Sequence, residues 1–191
     1  YPDTWKILTK EQQQTVQDRA SQMLKNIDLS SVDVMVYHPN TAPLQNINVV
    51  VTMGGMVANE TSVQEVQSNL GNRLSASGIT VENLESHLTR VGKYDAVFAS
   101  WVAGGPVFGG QKMSQQQYYI SDGSHTYIVT CTAGEGSAAE VKPTFDSILN
   151  SFQMDGSQGG MNGLPKAVQG GIIGAIVGGF IGLFAKKTRR K

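Results

Sequence analysis

The sequence predicts an α+β domain, with helices packed on an antiparallel sheet, followed by one membrane-spanning helix. Three observations carry this. Three segments repeat apolar residues at helical spacing, while six others have the alternating or apolar character of strands. Most of the strands are joined by short turns, which suit antiparallel neighbours and not parallel crossovers. The chain closes on 19 uncharged residues, Ala167 to Ala185, before a basic tail.

The first helix is expected over about Lys10 to Asn26. Thr9-Lys10-Glu11-Gln12 fits a capping box, and Val16, Ala20, Met23, Leu24 and Ile27 share one face. Two strands follow, one alternating through Val32, Val34 and Val36, the other the more apolar Ile47 to Met53. A second capping box, Ser62 to Glu65, opens a helix that stacks Val66, Leu70 and Leu74, with Gly78 placed to end it. Four strands come next: Ile79 to Val91, Tyr94 to Val102, Gln111 to Ile120 and His125 to Thr132. Gly92-Lys93 links the first two, and the Asp122-Gly123 pair signals a hairpin between the last two. The third helix, Ser137 to Phe152, carries Val141, Phe145, Ile148, Leu149 and Phe152. Pro143 lies deep for a first turn, which predicts a kink or a later start.

The domain is therefore expected over 1–154, a glycine-rich linker over 155–166, a transmembrane helix over 167–185 and a basic cytoplasmic tail over 186–191. The apolar run would span roughly 28 Å, the thickness of bilayer hydrocarbon. Lys186, Lys187, Arg189, Arg190 and Lys191 follow it, and only Lys166 stands just before it. Positive residues stay on the cytoplasmic side, so the domain is expected outside the cytoplasm, periplasmic or lumenal, the rival being a tail-anchored protein with its domain in the cytosol. Gly170, Gly174, Gly178 and Gly182 recur every fourth position, leaving one flank of the helix bare for a neighbouring transmembrane helix. The linker Asp155–Gly163 has four glycines in nine residues, so the domain is expected to be held close to the membrane.

Zero net charge hides a split: residues 1–155 carry −6 and the remainder +6. An acidic domain excludes nucleic acid as an expected partner, because that binding is driven by cations on phosphate. The lone Cys131 falls in an apparent strand and is expected to be a buried small hydrophobe.

The opening Tyr1-Pro2-Asp3-Thr4-Trp5-Lys6-Ile7 resembles the aromatic-Pro-x-x-Trp entry of the PsbP-like proteins. The element order and the final helix ending Ile148-Leu149-Asn150-Ser151-Phe152 are similar too. That group includes extrinsic proteins of the oxygen-evolving photosystem, Ran-binding Mog-type proteins and exported bacterial DcrB-type proteins. The resemblance covers about 1–154 and implies an α/β/α sandwich. A strand normally precedes that entry, which implies that this chain begins inside the fold. The membrane helix is an addition to the shared domain, and the group has no common catalytic set to carry over.

His38, His87 and His125 stand apart, without a second ligand at metal spacing. Ser121 to Ser124 is read as a turn rather than a catalytic serine loop. Gly104 to Gly110 lacks the lysine of a phosphate loop; it is expected to be a mobile loop between two strands or, in the functional reading, a docking loop with Val107 and Phe108 exposed at its tip. Gln115 to Gln117 is a short polar run, and Trp5 and Trp101 are expected in or near the core. The expectation is a protein without catalytic, cofactor or metal sites. It would be an accessory or stabilising subunit that docks on other transmembrane subunits of a larger membrane complex, photosynthetic or otherwise energy-transducing. The alternative is a membrane-tethered receptor for a small ligand or ion.

Overall fold

The computed structural model of the chain describes residues 3–23, 32–41 and 45–154. The predicted linker, membrane helix with Gly170, Gly174, Gly178 and Gly182, and basic tail lie outside the described residues. So do Leu24, Ile27 and the side chains of Val16, Ala20 and Met23 in the first helix's apolar stripe. Among the described residues, no helix is long and apolar enough to cross a membrane.

The chain runs β1 (Lys6–Ile7), α1 (Lys10–Met23), β2 (Val32–Tyr37), β3 (Asn46–Met53), α2 (Glu60–Ala76), β4 (Thr80–Val91) and β5 (Tyr94–Gly104). A 3-10 turn at Pro106–Phe108 leads to β6 (Met113–Ser121) and β7 (His125–Gly134), and a second at Glu135–Ser137 leads to α3 (Ala138–Asn150). The strands form one seven-stranded sheet in the order β1-β2-β3-β7-β6-β5-β4. Every pairing is antiparallel. The chain passes from β3 through α2 to the far edge, then returns by three hairpins until β7 pairs with β3.

That route makes β7 the central strand, and its residues from Ile128 to Gly134 are all buried. Such burial requires cover on both faces. On one face α2 contributes Val63, Val66, Leu70 and Leu74 to a cluster with Met35, Val50, Val97, Trp101 and Ile128. On the other, α3 contributes Val141, Phe145 and Leu149 to a cluster with Trp5, Val36, Ile47, Val129 and Cys131. Both tryptophans and the cysteine are buried, as expected.

The first capping box forms: Gln12 N donates to Thr9 Oγ1 at 3.2 Å, and Thr9 N to Gln12 Oε1 at 3.0 Å. The second does not. The cap of α2 is Asn59, whose Oδ1 accepts Ser62 N at 2.9 Å, so the helix begins before Ser62. Ser62 is buried, and its hydroxyl donates to Val57 O and to Asn59 Oδ1. At the other end Gly78, with φ +76°, completes a Schellman motif: Ile79 N reaches Leu74 O at 3.0 Å and Gly78 N reaches Ser75 O at 3.0 Å. For α3 no later start occurs. A 3-10 turn feeds the helix at Ala138, and the helix continues through Pro143, forgoing one backbone donor.

Candidate functional site

The two helices do not cover their faces equally. α2 lies against β4 and β5, whereas α3 lies along β7. On the α3 face, the described residues therefore leave part of β4, β5 and β6 half open. The register decides what is displayed there. Glu85, Ser100 and Gln116 stand in one row across the three strands, and His87, Phe98 and Tyr118 in the next. Ser100, Phe98, Gln116 and Tyr118 are half-buried, and Glu85 and His87 are exposed.

The three rings form a continuous row, with centroids 4.8 Å apart for His87–Phe98 and 5.1 Å for Phe98–Tyr118. Burial, then Cys131, then Asp146 of α3 push the Tyr118 phenol up, so it stays a neutral hydroxyl. In the neighbouring row Ser100 Oγ donates to Glu85 Oε1 at 2.9 Å. Glu85 has no basic partner among the described residues, and Gln116 Oε1 has no hydrogen-bond donor. The flanking charges are already matched: Lys112–Glu82 at 2.7 Å and Lys142–Asp146 at 2.6 Å. The outer edge is β4 itself, whose regular ladder is interrupted by a bulge between Glu82 and Glu85 with Asn83 at φ 55°.

The α2 face holds a different surprise. Asn46, Asn48, Gln115, Gln117, Thr130 and Thr132 are fully buried in two adjacent rows of the sheet. Tyr119 Oη donates to Gln117 Oε1 at 2.8 Å and Gln117 Nε2 to Thr130 Oγ1 at 2.9 Å. Thr132 Oγ1 donates to Gln115 Oε1 at 3.0 Å, while the buried Trp101 Nε1 beside them has no acceptor. The polar run Gln115–Gln117 was the sequence signal for this layer. Strand alternation sends Gln115 and Gln117 inward and Gln116 to the opposite face, which a run of three identical residues conceals.

Phe108 requires a correction: the predicted docking-loop tip is 3 % exposed and belongs to the α2-face core. Gly105 at φ 127° and Gly109 at φ 62° let the chain turn tightly around Pro106–Phe108 and send the ring inward. The Val107 side chain lies outside the described residues.

The reading of Ser121 to Ser124 as a turn holds. Ser121 Oγ donates to His125 O at 2.9 Å and accepts from Gly123 N and Met56 N, both at 3.1 Å, leaving it engaged in structure. Asp122 Oδ1 accepts Ser124 N at 2.8 Å and His125 N at 2.7 Å, while Oδ2 accepts Tyr127 Oη at 3.0 Å. Partial burial pushes this carboxyl up. The His125 and Ser124 amides, the Tyr127 hydroxyl and the His125 ring outweigh it and hold the carboxyl below its ordinary value. Burial pushes the Cys131 thiol far up, away from nucleophilic thiolate. His38 stacks edge-on against Trp5 at 6.0 Å. Among the described residues, no group of three His, Cys, Asp or Glu side chains could hold a metal ion.

No family model matches the chain, and no curated protein does. Solved structures with a similar fold include a PsbP from the cyanobacterium Synechocystis, 14 % identical with a TM-score of 0.48, covering 81 % of this chain and 84 % of that one. LpqN, involved in cell envelope biogenesis of Mycobacterium tuberculosis, is 12 % identical with a TM-score of 0.47, covering 80 % and 78 %. A protein from Bacteroides thetaiotaomicron is 14 % identical with a TM-score of 0.43. That match covers 74 % of this chain but only 40 % of the other. A PsbP, from the group that the sequence resembles, is thus among them. Likeness at such identities concerns fold alone, and the fold of this chain is described by its own strand order.

Proposed function

We propose that this chain is a non-enzymatic, membrane-tethered docking protein, an accessory subunit whose domain engages a larger membrane assembly. The observation that carries the reading is the half-open α3 face of β4–β6, where a ring row and the exposed Glu85 carboxylate stand side by side. The sequence of 167–191 supports the tether, with the domain outside the cytoplasm and Lys186 to Lys191 inside. Half-buried aromatic side chains beside polar groups are the usual material of protein interfaces. The test is purification of the full chain from native membrane in mild detergent, with and without Phe98→Ser. A partner recovered with the wild type and lost with the variant, at unchanged unfolding temperature, supports docking through this face. Equal recovery overturns it.

A second reading, a tethered receptor for a small ligand, is favoured by one observation. The buried Trp101 Nε1 donor has no acceptor within a layer of amides and hydroxyls. A neutral, acceptor-bearing ligand there would raise the unfolding temperature by mass action in a thermal-shift screen. Absence of any shift that depends on Trp101, tested with Trp101→Phe, would end that reading.

A further inference from the structure

We propose that the open face of β4–β6 recognises the guanidinium of an arginine on a segment of a partner protein. This rests on the docking reading above and names the chemistry of its partner. Among the described residues the face lacks a cation. The carboxylate of Glu85, exposed at the outer end of the row that runs through Ser100 to Gln116, has no basic partner among them. Ser100 Oγ already donates its hydrogen bond to Glu85 Oε1 at 2.9 Å. A ligand that pairs with this carboxylate must bring donors. The neighbouring row brings π faces, from Phe98 and Tyr118, with His87 closing the edge.

Donors without acceptors, positive charge and a flat face that stacks on rings describe a guanidinium better than an ammonium. Its fork can donate to a carboxylate while its plane lies over an aromatic ring. The two lysines flanking the face, Lys112 and Lys142, are paired with Glu82 and Asp146, so neither opposes an incoming cation. The net charge of −6 over residues 1–155 adds long-range attraction in the same direction.

The probe is the blocked peptide acetyl-Gly-Arg-Gly-amide, with its citrulline and lysine counterparts, added to the isotopically labelled full chain in a zwitterionic detergent. Backbone amide shifts are followed by NMR. The arginine peptide is expected to shift Glu85, Phe98, Gln116 and Tyr118 saturably, more weakly as salt rises. The citrulline peptide, which keeps the shape and loses the charge, should leave them unmoved. Glu85→Gln can still accept from Ser100 Oγ, so the fold should be untouched, and it should weaken the arginine peptide about tenfold. Equal binding of the citrulline or lysine peptide, saturable shifts confined to another surface, or no saturable shift would each overturn the guanidinium assignment. The native partner separates this failure from failure of docking itself. Recovery lost with Phe98→Ser but unaffected by Glu85→Gln keeps the docking face and removes the arginine, whereas recovery indifferent to both removes the face.

Discussion

Asp122 shows how one side chain can hold a turn. Its two oxygens take three hydrogen bonds, from two backbone amides and the Tyr127 hydroxyl, and its side chain is only 7 % exposed. All three favour the ionised form, and its folded carboxyl lies below the 3.8 expected of a free one. A depressed carboxyl stabilises the fold above its unfolded value, and that contribution disappears as pH falls through the folded value. Acid unfolding below about the ordinary 3.8 should therefore be steeper in the wild type than in Asp122→Asn, which keeps an acceptor but cannot ionise. Urea midpoints measured at descending pH check this, and parallel curves would show that the charge contributes nothing. The turn was legible because Asp-Gly between two strands is a local pattern. The Tyr127 partner was less so, since nothing in the sequence says that its hydroxyl folds back on the turn.

Among the elements, α2 is the instructive one. Its C-terminal stop was readable at Gly78, because a left-handed residue after a helix favours glycine. No atom crowds the position where a Cβ would stand, so Gly78→Ala should cost only about 1 kcal/mol, the conformational penalty itself. Phe108→Ala, by contrast, should cost about 3–5 kcal/mol, because it empties a buried ring position. Chemical unfolding of the two variants tests the pair. A loss at Phe108 no larger than at Gly78 would restore that residue to the surface, where the sequence had placed it. The start of α2 was misread for a stated reason. Ser62-Val63-Gln64-Glu65 has the residues of a capping box, and so does an interior turn whose serine is buried. The choice fell to Asn59 because Ser62 binds Val57 O and Asn59 from inside the fold. Glycine-rich 104–110 misled in the same manner: local freedom was evident, but the direction in which the freedom would be used was not.

At the scale of the molecule, two cores on opposite faces of one sheet share the strands between them. Such an arrangement should unfold as a unit, because losing either layer exposes a buried face of the same central strand. A chain ending at Asp155 is expected to be soluble and to lose its far-ultraviolet and near-ultraviolet circular dichroism in one coincident transition. Separate transitions, or aggregation of the truncated chain, would show that the fold needs residues beyond Asp155 or a partner. Apart from the two-residue β1, too short to show alternation, the order of elements, the antiparallel sheet and the helix-on-sheet class were determined by the sequence alone. Each depends on alternation, caps and turns within a few residues of one another, and local sterics settle those before any long-range contact forms. The half-open face and the buried amide layer were decided only by the tertiary structure. Both follow from β7 inserting beside β3, from α2 and α3 lying over different strands, and from register aligning Glu85 with Gln116 and Gln117 with Thr130. Alternation fixes which side chains share a face. Which face is covered is a property of the packed layers, and no short stretch of sequence contains it.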